Sequence, residues 1–233
     1  MPRYLQITAV DVTGRGGIVV TGSRDRTCLV WGLQEDPARD RGLVPVPAVR
    51  LEAGDRVWSV AASPSASLLA VGTAATRGCP PLRLFDLASG ASVLDLGTEL
   101  RNGAGMLDLA WTSPHTFLAC GYDTFTRLWD TRCGRQGAVR AWEEPNDESV
   151  YCLATDRLNC LVTGTSRHGR VRVWDLRAPK WLYMKHAAPA RRGQSSPVYS
   201  LAMDACNLYA ALDQSLNHFG FSGQDGKRQH RRH

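Results

Sequence analysis

Thr126-Arg-Leu-Trp129-Asp130 and Val171-Arg-Val-Trp174-Asp175 are one pattern written twice, with the tryptophans 45 residues apart. Working outward, the same pattern stands at Cys28-Leu-Val-Trp31-Gly32 and Leu82-Arg-Leu-Phe85-Asp86. A degenerate copy is Leu216-Asn-His-Phe219-Gly220. The aromatic anchors Trp31, Phe85, Trp129, Trp174 and Phe219 are separated by 54, 44, 45 and 45 residues. A fixed interval of this length marks a chain built from one repeated supersecondary unit.

Each anchor is preceded by two further matched runs. Ile18-Val-Val-Thr-Gly22, Leu68-Leu-Ala-Val-Gly72, Phe117-Leu-Ala-Cys-Gly121 and Cys160-Leu-Val-Thr-Gly164 form one set, with Asn207-Leu-Tyr-Ala-Ala211 as its fifth member. Thr8-Ala-Val10, Trp58-Ser-Val60, Leu107-Asp-Leu109, Tyr151-Cys-Leu153 and Tyr199-Ser-Leu201 form the other. All are short, rich in β-branched and aliphatic residues, and bounded by Gly or polar turns, which is the signal of strands. Less regular fourth strands are expected at 44–51, 92–96, 138–142 and 182–186, outermost because Pro45 and Pro47 are tolerated only on an edge. Asp25 and Asp123, six residues before a tryptophan, are placed to accept backbone N–H groups in the turn between second and third strands. His168 and Cys79 hold that place in two other repeats.

A period near 44, four strands per unit and a terminal Trp-Asp (Asp130, Asp175) predict an all-β fold, a WD-repeat β-propeller of about five blades. The repeats divide as 1–54, with a loop insertion at 34–42, then 55–103, 104–147, 148–195 and a partial 196–221. Residues 222–233 have no apolar side chain and read as a disordered basic tail. WD propellers usually close with about seven blades. Five repeats starting almost at Met1 are therefore expected to form an incomplete, open arc with uncovered flanks at Leu5, Ile7, Leu208 and Tyr209.

Composition excludes several classes of function. Of 28 basic residues 25 are Arg, and the net charge of +6 is half concentrated in the tail, so a dedicated nucleic-acid domain is not indicated. The seven cysteines are scattered, with no CxxC pair, and read as free thiols of a reducing compartment. No apolar stretch approaches the length of a membrane span and no signal sequence is visible, so the expected location is cytoplasm or nucleus. No metal-ligand spacing, phosphate loop or nucleophile elbow occurs, and neither catalysis nor a cofactor is expected.

Gly22-Ser-Arg-Asp-Arg-Thr27, Asp55-Arg-Val-Trp-Ser59, Trp142-Glu-Glu-Pro145, Ser196-Pro-Val-Tyr199 and Leu208-Tyr-Ala-Ala-Leu212 add a more specific signal. Together and in order they resemble the F-box/WD-repeat family. The resemblance implies the C-terminal propeller of a cullin–RING ubiquitin ligase receptor, which presents a protein substrate. The family's adaptor-binding F-box is not found in this sequence, so ligase components are expected as partners only of a longer form. On such a propeller the exposed partner-binding face would carry Arg24, Arg26, Arg56, Arg77, Tyr122, Arg167 and His168. Arginine forks suit a phosphorylated or acidic degron. A structural scaffold is the competing reading. So is a receptor of another cullin ligase, through the Trp-Asp-x-Arg boxes at Trp129–Arg132 and Trp174–Arg177.

Overall fold

The computed structural model describes residues 6–12, 18–35, 43–134, 137–186 and 196–221. Within them the chain is built of antiparallel strands, with one short 3-10 turn at Thr131–Cys133. The first blade comprises β1 (Ile7–Val12), β2 (Val19–Ser23), β3 (Thr27–Glu35) and β4 (Leu43–Glu52). The second comprises β5 (Val57–Ala62), β6 (Leu68–Thr73), β7 (Leu82–Asp86) and β8 (Ser92–Leu96). The third holds β9 (Met106–Trp111), β10 (Thr116–Gly121), β11 (Phe125–Asp130) and β12 (Arg140–Glu143). The fourth holds β13 (Val150–Thr155), β14 (Cys160–Thr165), β15 (Arg170–Asp175) and β16 (Trp181–His186). The last sheet has three strands, β17 (Ser200–Met203), β18 (Asn207–Ala211) and β19 (Leu216–Gly220). In every sheet the strands lie side by side in chain order, as short turns dictate.

The innermost strands pack in sequence, β1 on β5, β5 on β9, β9 on β13 and β13 on β17, and no comparable contact joins β17 back to β1. The result is an open arc of blades. Its core lies in the four gaps between neighbours. Val30 and Leu51 meet Leu69 and Phe85 in the first gap, and Leu82 and Leu84 meet Phe117 and Trp129 in the second. Trp142 and Leu118 meet Leu161 and Trp174 in the third, and Val162 meets Leu208 in the fourth.

Each aromatic anchor thus packs on the blade that precedes it. Phe85, Trp129 and Trp174 are buried at 3%, 0% and 3% exposure. Trp31, whose motif matches theirs, is only half-buried, because no described blade precedes it. The same geometry corrects the expectation for Leu208. It faces the fourth blade and is buried, whereas Tyr209, one residue on and pointing the other way, is exposed. Ile7, Val10 and Val12 are exposed at the opposite end of the arc; Leu5 lies outside the described residues.

Two details recur from blade to blade. Where the second strand ends in glycine, the next blade comes close. A Cβ on Gly72 would sit 2.7 Å from the Met106 carbonyl oxygen, and one on Gly164 would sit 2.7 Å from Val198. The inner strand of each four-stranded blade also slips register once near its start, between Ile7 and Ala9, Val57 and Ser59, Met106 and Asp108, and Val150 and Cys152, whereas β17 runs in unbroken register. This β-bulge leaves one residue unpaired and re-aims its side chain. The residues so re-aimed are Thr8, Trp58, Leu107 and Tyr151.

The insertion expected as a loop from Gln34 begins as strand instead. Gln34 and Glu35 pair with Val44 and Leu43 and prolong the outer ribbon; residues 36–42 are outside the described set. The fourth strand of the third blade runs from Arg140 rather than Ala138.

Candidate functional site

The turns between second and third strands, and the linkers that enter each blade, gather at one end of the sheets. Arg24 sits in the Ser23–Thr27 turn and Arg56 at the entrance to β5. Their guanidinium carbons lie 5.2 and 5.6 Å from the centroid of the one Trp58 ring. Arg24 also donates to the Gln6 amide oxygen at 3.0 Å. The neighbouring carboxylates are occupied elsewhere. Burial would raise the Asp55 carboxyl, but hydrogen bonds from the Thr76 hydroxyl and amide and from the Arg56 amide outweigh it and hold it below the usual range. Asp25 behaves likewise, accepting from the Thr27 hydroxyl at 2.7 Å and amide at 3.0 Å.

An aromatic row continues from this basic end. Tyr122 meets Tyr151 edge-on at 6.3 Å between centroids, and Tyr151 meets Tyr199 at 6.3 Å. Partial burial raises the Tyr122 phenol above its ordinary value and the Tyr151 ring adds to this, while Arg24 and Arg56 pull it back, which places both guanidinium groups in its field. Arg101 donates to the Tyr122 carbonyl at 3.4 Å. At the far end Asp213 hydrogen-bonds the Tyr199 phenol and raises its pKa. The row is therefore basic at the first and second blades, aromatic in the middle and acidic at the last.

The structure brings three of the residues singled out from sequence, Arg24, Arg56 and Tyr122, into this cluster. Arg26 and Arg77 are exposed at positive φ in their turns (77° and 55°), and neither guanidinium makes a hydrogen bond, ion pair or ring contact among the described residues. Arg167 and His168 line an adjoining polar cleft of about 420 Å³ with residues 146–149, Ser166 and Arg170. Sequence reading missed Trp58, Tyr151 and Tyr199 on this face and the buried Glu148 in the wall of the cleft.

One turn aspartate behaves differently from expectation. Asp123 does not cap its turn but binds the Arg127 side chain, leaving its Oδ1 buried without a partner among the described residues. Arginine two residues before the anchor wins the carboxylate because a charged donor outcompetes a backbone amide. Asp130 and Asp175 are each gripped by the arginine two residues on, with Nη2 to Oδ2 distances of 2.6 and 2.7 Å. The hydrogen bonds from Arg132 and Arg177 pull both carboxyls down to about 2. Both Trp-Asp-x-Arg boxes are therefore closed upon themselves.

The comparisons with known proteins fit this geometry. The model described as "WD domain, G-beta repeat" matches residues 4–32, 98–130 and 138–175, the three units whose anchor is tryptophan. These repeats are WD repeats. The chain is also 43% identical over 217 residues, 93% of its length, to F-box/WD repeat-containing protein 4 of Homo sapiens. It is 42% identical over 216 residues to the protein of that name in Mus musculus. It spans about half the length of these curated relatives.

Among the described residues no three His, Cys, Asp or Glu side chains are grouped to hold a metal ion. Cys28, Cys120 and Cys152 are buried, and burial pushes all three thiols up, that of Cys28 to about 12. The basic tail lies outside the described residues.

Proposed function

We propose that this WD-repeat arc is a non-catalytic receptor in the cytoplasm or nucleus. Its basic–aromatic face holds an acidic or phosphorylated segment of a protein substrate for ubiquitination. The observation that carries the reading is the convergence of Arg24 and Arg56 on Trp58, with their nearest carboxylates already satisfied. Two guanidinium forks held over one ring are pre-placed for a phosphoryl group or carboxylate, and little side-chain entropy remains to be lost on binding. The ubiquitin-ligase part of the proposal draws on the name of the relatives, whose length the chain half covers.

The test is fluorescence anisotropy with a labelled phosphoserine peptide and its unphosphorylated twin. The phosphopeptide should bind at least ~10-fold more tightly, a difference of about 1.4 kcal/mol. Arg24→Ala/Arg56→Ala should erase that preference, and added salt should weaken it. Equal binding of the two peptides would remove the basis of the proposal. For the ligase role, a substrate photo-crosslinked at Tyr122 should gain half-life in a translation-block chase when this protein is depleted.

A further inference from the structure

The polar cleft beside the aromatic row contains a group that the arc itself does not satisfy. Glu148, on the linker entering the fourth blade, is 8% exposed. Its Oε1 accepts from Arg170, and the His168 Nε2 lies 3.8 Å from the same oxygen. Its Oε2 is buried with no hydrogen-bond partner among the described residues. A buried carboxylate oxygen without a donor is costly, and such groups in native folds call for an explanation.

The cleft wall indicates the chemistry of the missing donor. Asp147 and Glu148 are balanced by Arg167 and Arg170, so neither a free cation nor a free anion gains from the whole lining. Arg170 spends one terminal nitrogen on Glu148, and the rest of its fork and the exposed Arg167 retain donors. The site thus presents carboxylate acceptors, of Asp147 and Glu148, beside several donors in a neutral setting. A carboxamide is the side chain with that complement, an NH₂ to give and a carbonyl to receive. The cleft is continuous with the peptide-binding face, since the Ser149 hydroxyl donates to the Tyr122 carbonyl at 3.4 Å.

We propose that the Glu148 cleft is a carboxamide subsite, which reads an asparagine or glutamine of the segment lying along Tyr122 and Tyr151. Glu148 Oε2 accepts from the amide NH₂, and Arg170 or Arg167 donates to its carbonyl. A carboxylate in the same place would meet Oε2 with a second acceptor and be rejected, because a site built around one hydrogen bond discriminates strongly against the analogue that lacks it. This inference rests on the proposed peptide-binding role for its biological setting, though the subsite chemistry can be read alone.

The experiment is a ¹H–¹⁵N titration of the full chain with propionamide, propionate and propylammonium as side-chain fragments. Propionamide should give saturable shifts at residues 146–149 and 166–170, at least fivefold larger than either control at equal concentration. Glu148→Gln keeps an acceptor for Arg170 but turns Oε2 into a donor, so the order of propionamide and propionate should reverse. Equal responses to the three fragments, or an amide preference that persists in Glu148→Gln, would overturn the proposal. If the variant fails to fold, the ranking in the wild-type chain still decides. Failure of phosphopeptide binding at Arg24 and Arg56 would leave this ranking unchanged, so the two readings fall separately.

Discussion

Replacing Ala119 with threonine should stabilise the chain, and the blades themselves show why. Val19 pairs with Trp31, Leu161 with Trp174 and Phe117 with Trp129 at equivalent registers. Two residues further along the second strand stand Thr21, Thr163 and Ala119. The Thr21 and Thr163 hydroxyls accept from the indole N–H of their tryptophans at 2.9 and 2.8 Å. In the third blade alanine offers nothing, and the Trp129 Nε1 is buried without a partner among the described residues. In the second blade the anchor is Phe85, which has no N–H, and Val71 stands at that register. An unsatisfied buried donor costs about 1–3 kcal/mol. Ala119 is fully buried, so the added atoms cost part of this through crowding, of order 1 kcal/mol. The net gain should be about 1 kcal/mol, a rise in Tm of roughly 2–4 °C for a chain of this size. Ala119→Val supplies the shape without the hydroxyl and is the control, measured by thermal and urea unfolding. Ala119→Thr no more stable than Ala119→Val would refute the hydrogen-bond reasoning. So would a gain that survives in a Trp129→Phe background.

Other perturbations test the seams. Glu144→Ala strands the buried Arg172 guanidinium, which Glu144 now holds at 2.6 and 2.7 Å, and should cost about 3–5 kcal/mol in urea unfolding. Gly72→Ala puts a methyl 2.1 Å from Ser59 Oγ and 2.7 Å from the Met106 carbonyl; it should cost about 1–3 kcal/mol, partly recovered by adding Ser59→Ala. Burial raises the Asp108 carboxyl to about 6, against hydrogen bonds from the Leu153 and Leu109 amides and an unfolded value of 3.8. The folded chain therefore holds the extra proton between those values. Stability from this group is full below about 3.8 and is lost as pH rises to 6, by at most about 3 kcal/mol. Asp108→Asn should accordingly gain on the wild type between pH 4 and 7 in urea titrations; a pH-independent difference would count against the assignment.

Local chemistry made the blades legible. The period, the strand runs and the edge prolines are properties of adjacent residues, and they place the third-strand anchors. What sequence could not show depended on neighbours across a gap. Trp31 reads like Trp174, and only the blade order reveals that Trp174 packs against a preceding blade while none precedes Trp31 among the described residues. Leu208 and Tyr209 read as equally exposed because nothing local says which face of β18 meets the fourth blade. The aromatic row was hidden for a different reason. Trp58 and Tyr151 sit where strict alternation would direct them along the sheet, and the bulge, silent in the sequence, turns them outward. Glu148 is one acid among many until Arg170 claims half of it.

The hydrogen bonds that stitch inner strands together are not alike. Thr8 donates to the Val57 carbonyl at 2.6 Å, Ser59 to the Met106 carbonyl at 3.0 Å, and Cys152 to the Val198 carbonyl at 3.3 Å. Asp108 instead accepts, from the Leu153 amide at 2.9 Å. Hydroxyl, thiol and carboxylate make different demands on whatever follows, so the blades are not interchangeable parts. A shuffled chain with the third blade placed before the second would bring the Asp108 carboxylate to β5, whose Val57 carbonyl normally receives the Thr8 hydroxyl, pairing acceptor with acceptor. The order of blades is thus written a second time, in the polarity of the joints, and this code would guard the arc against misassembly of its similarly folded units during folding.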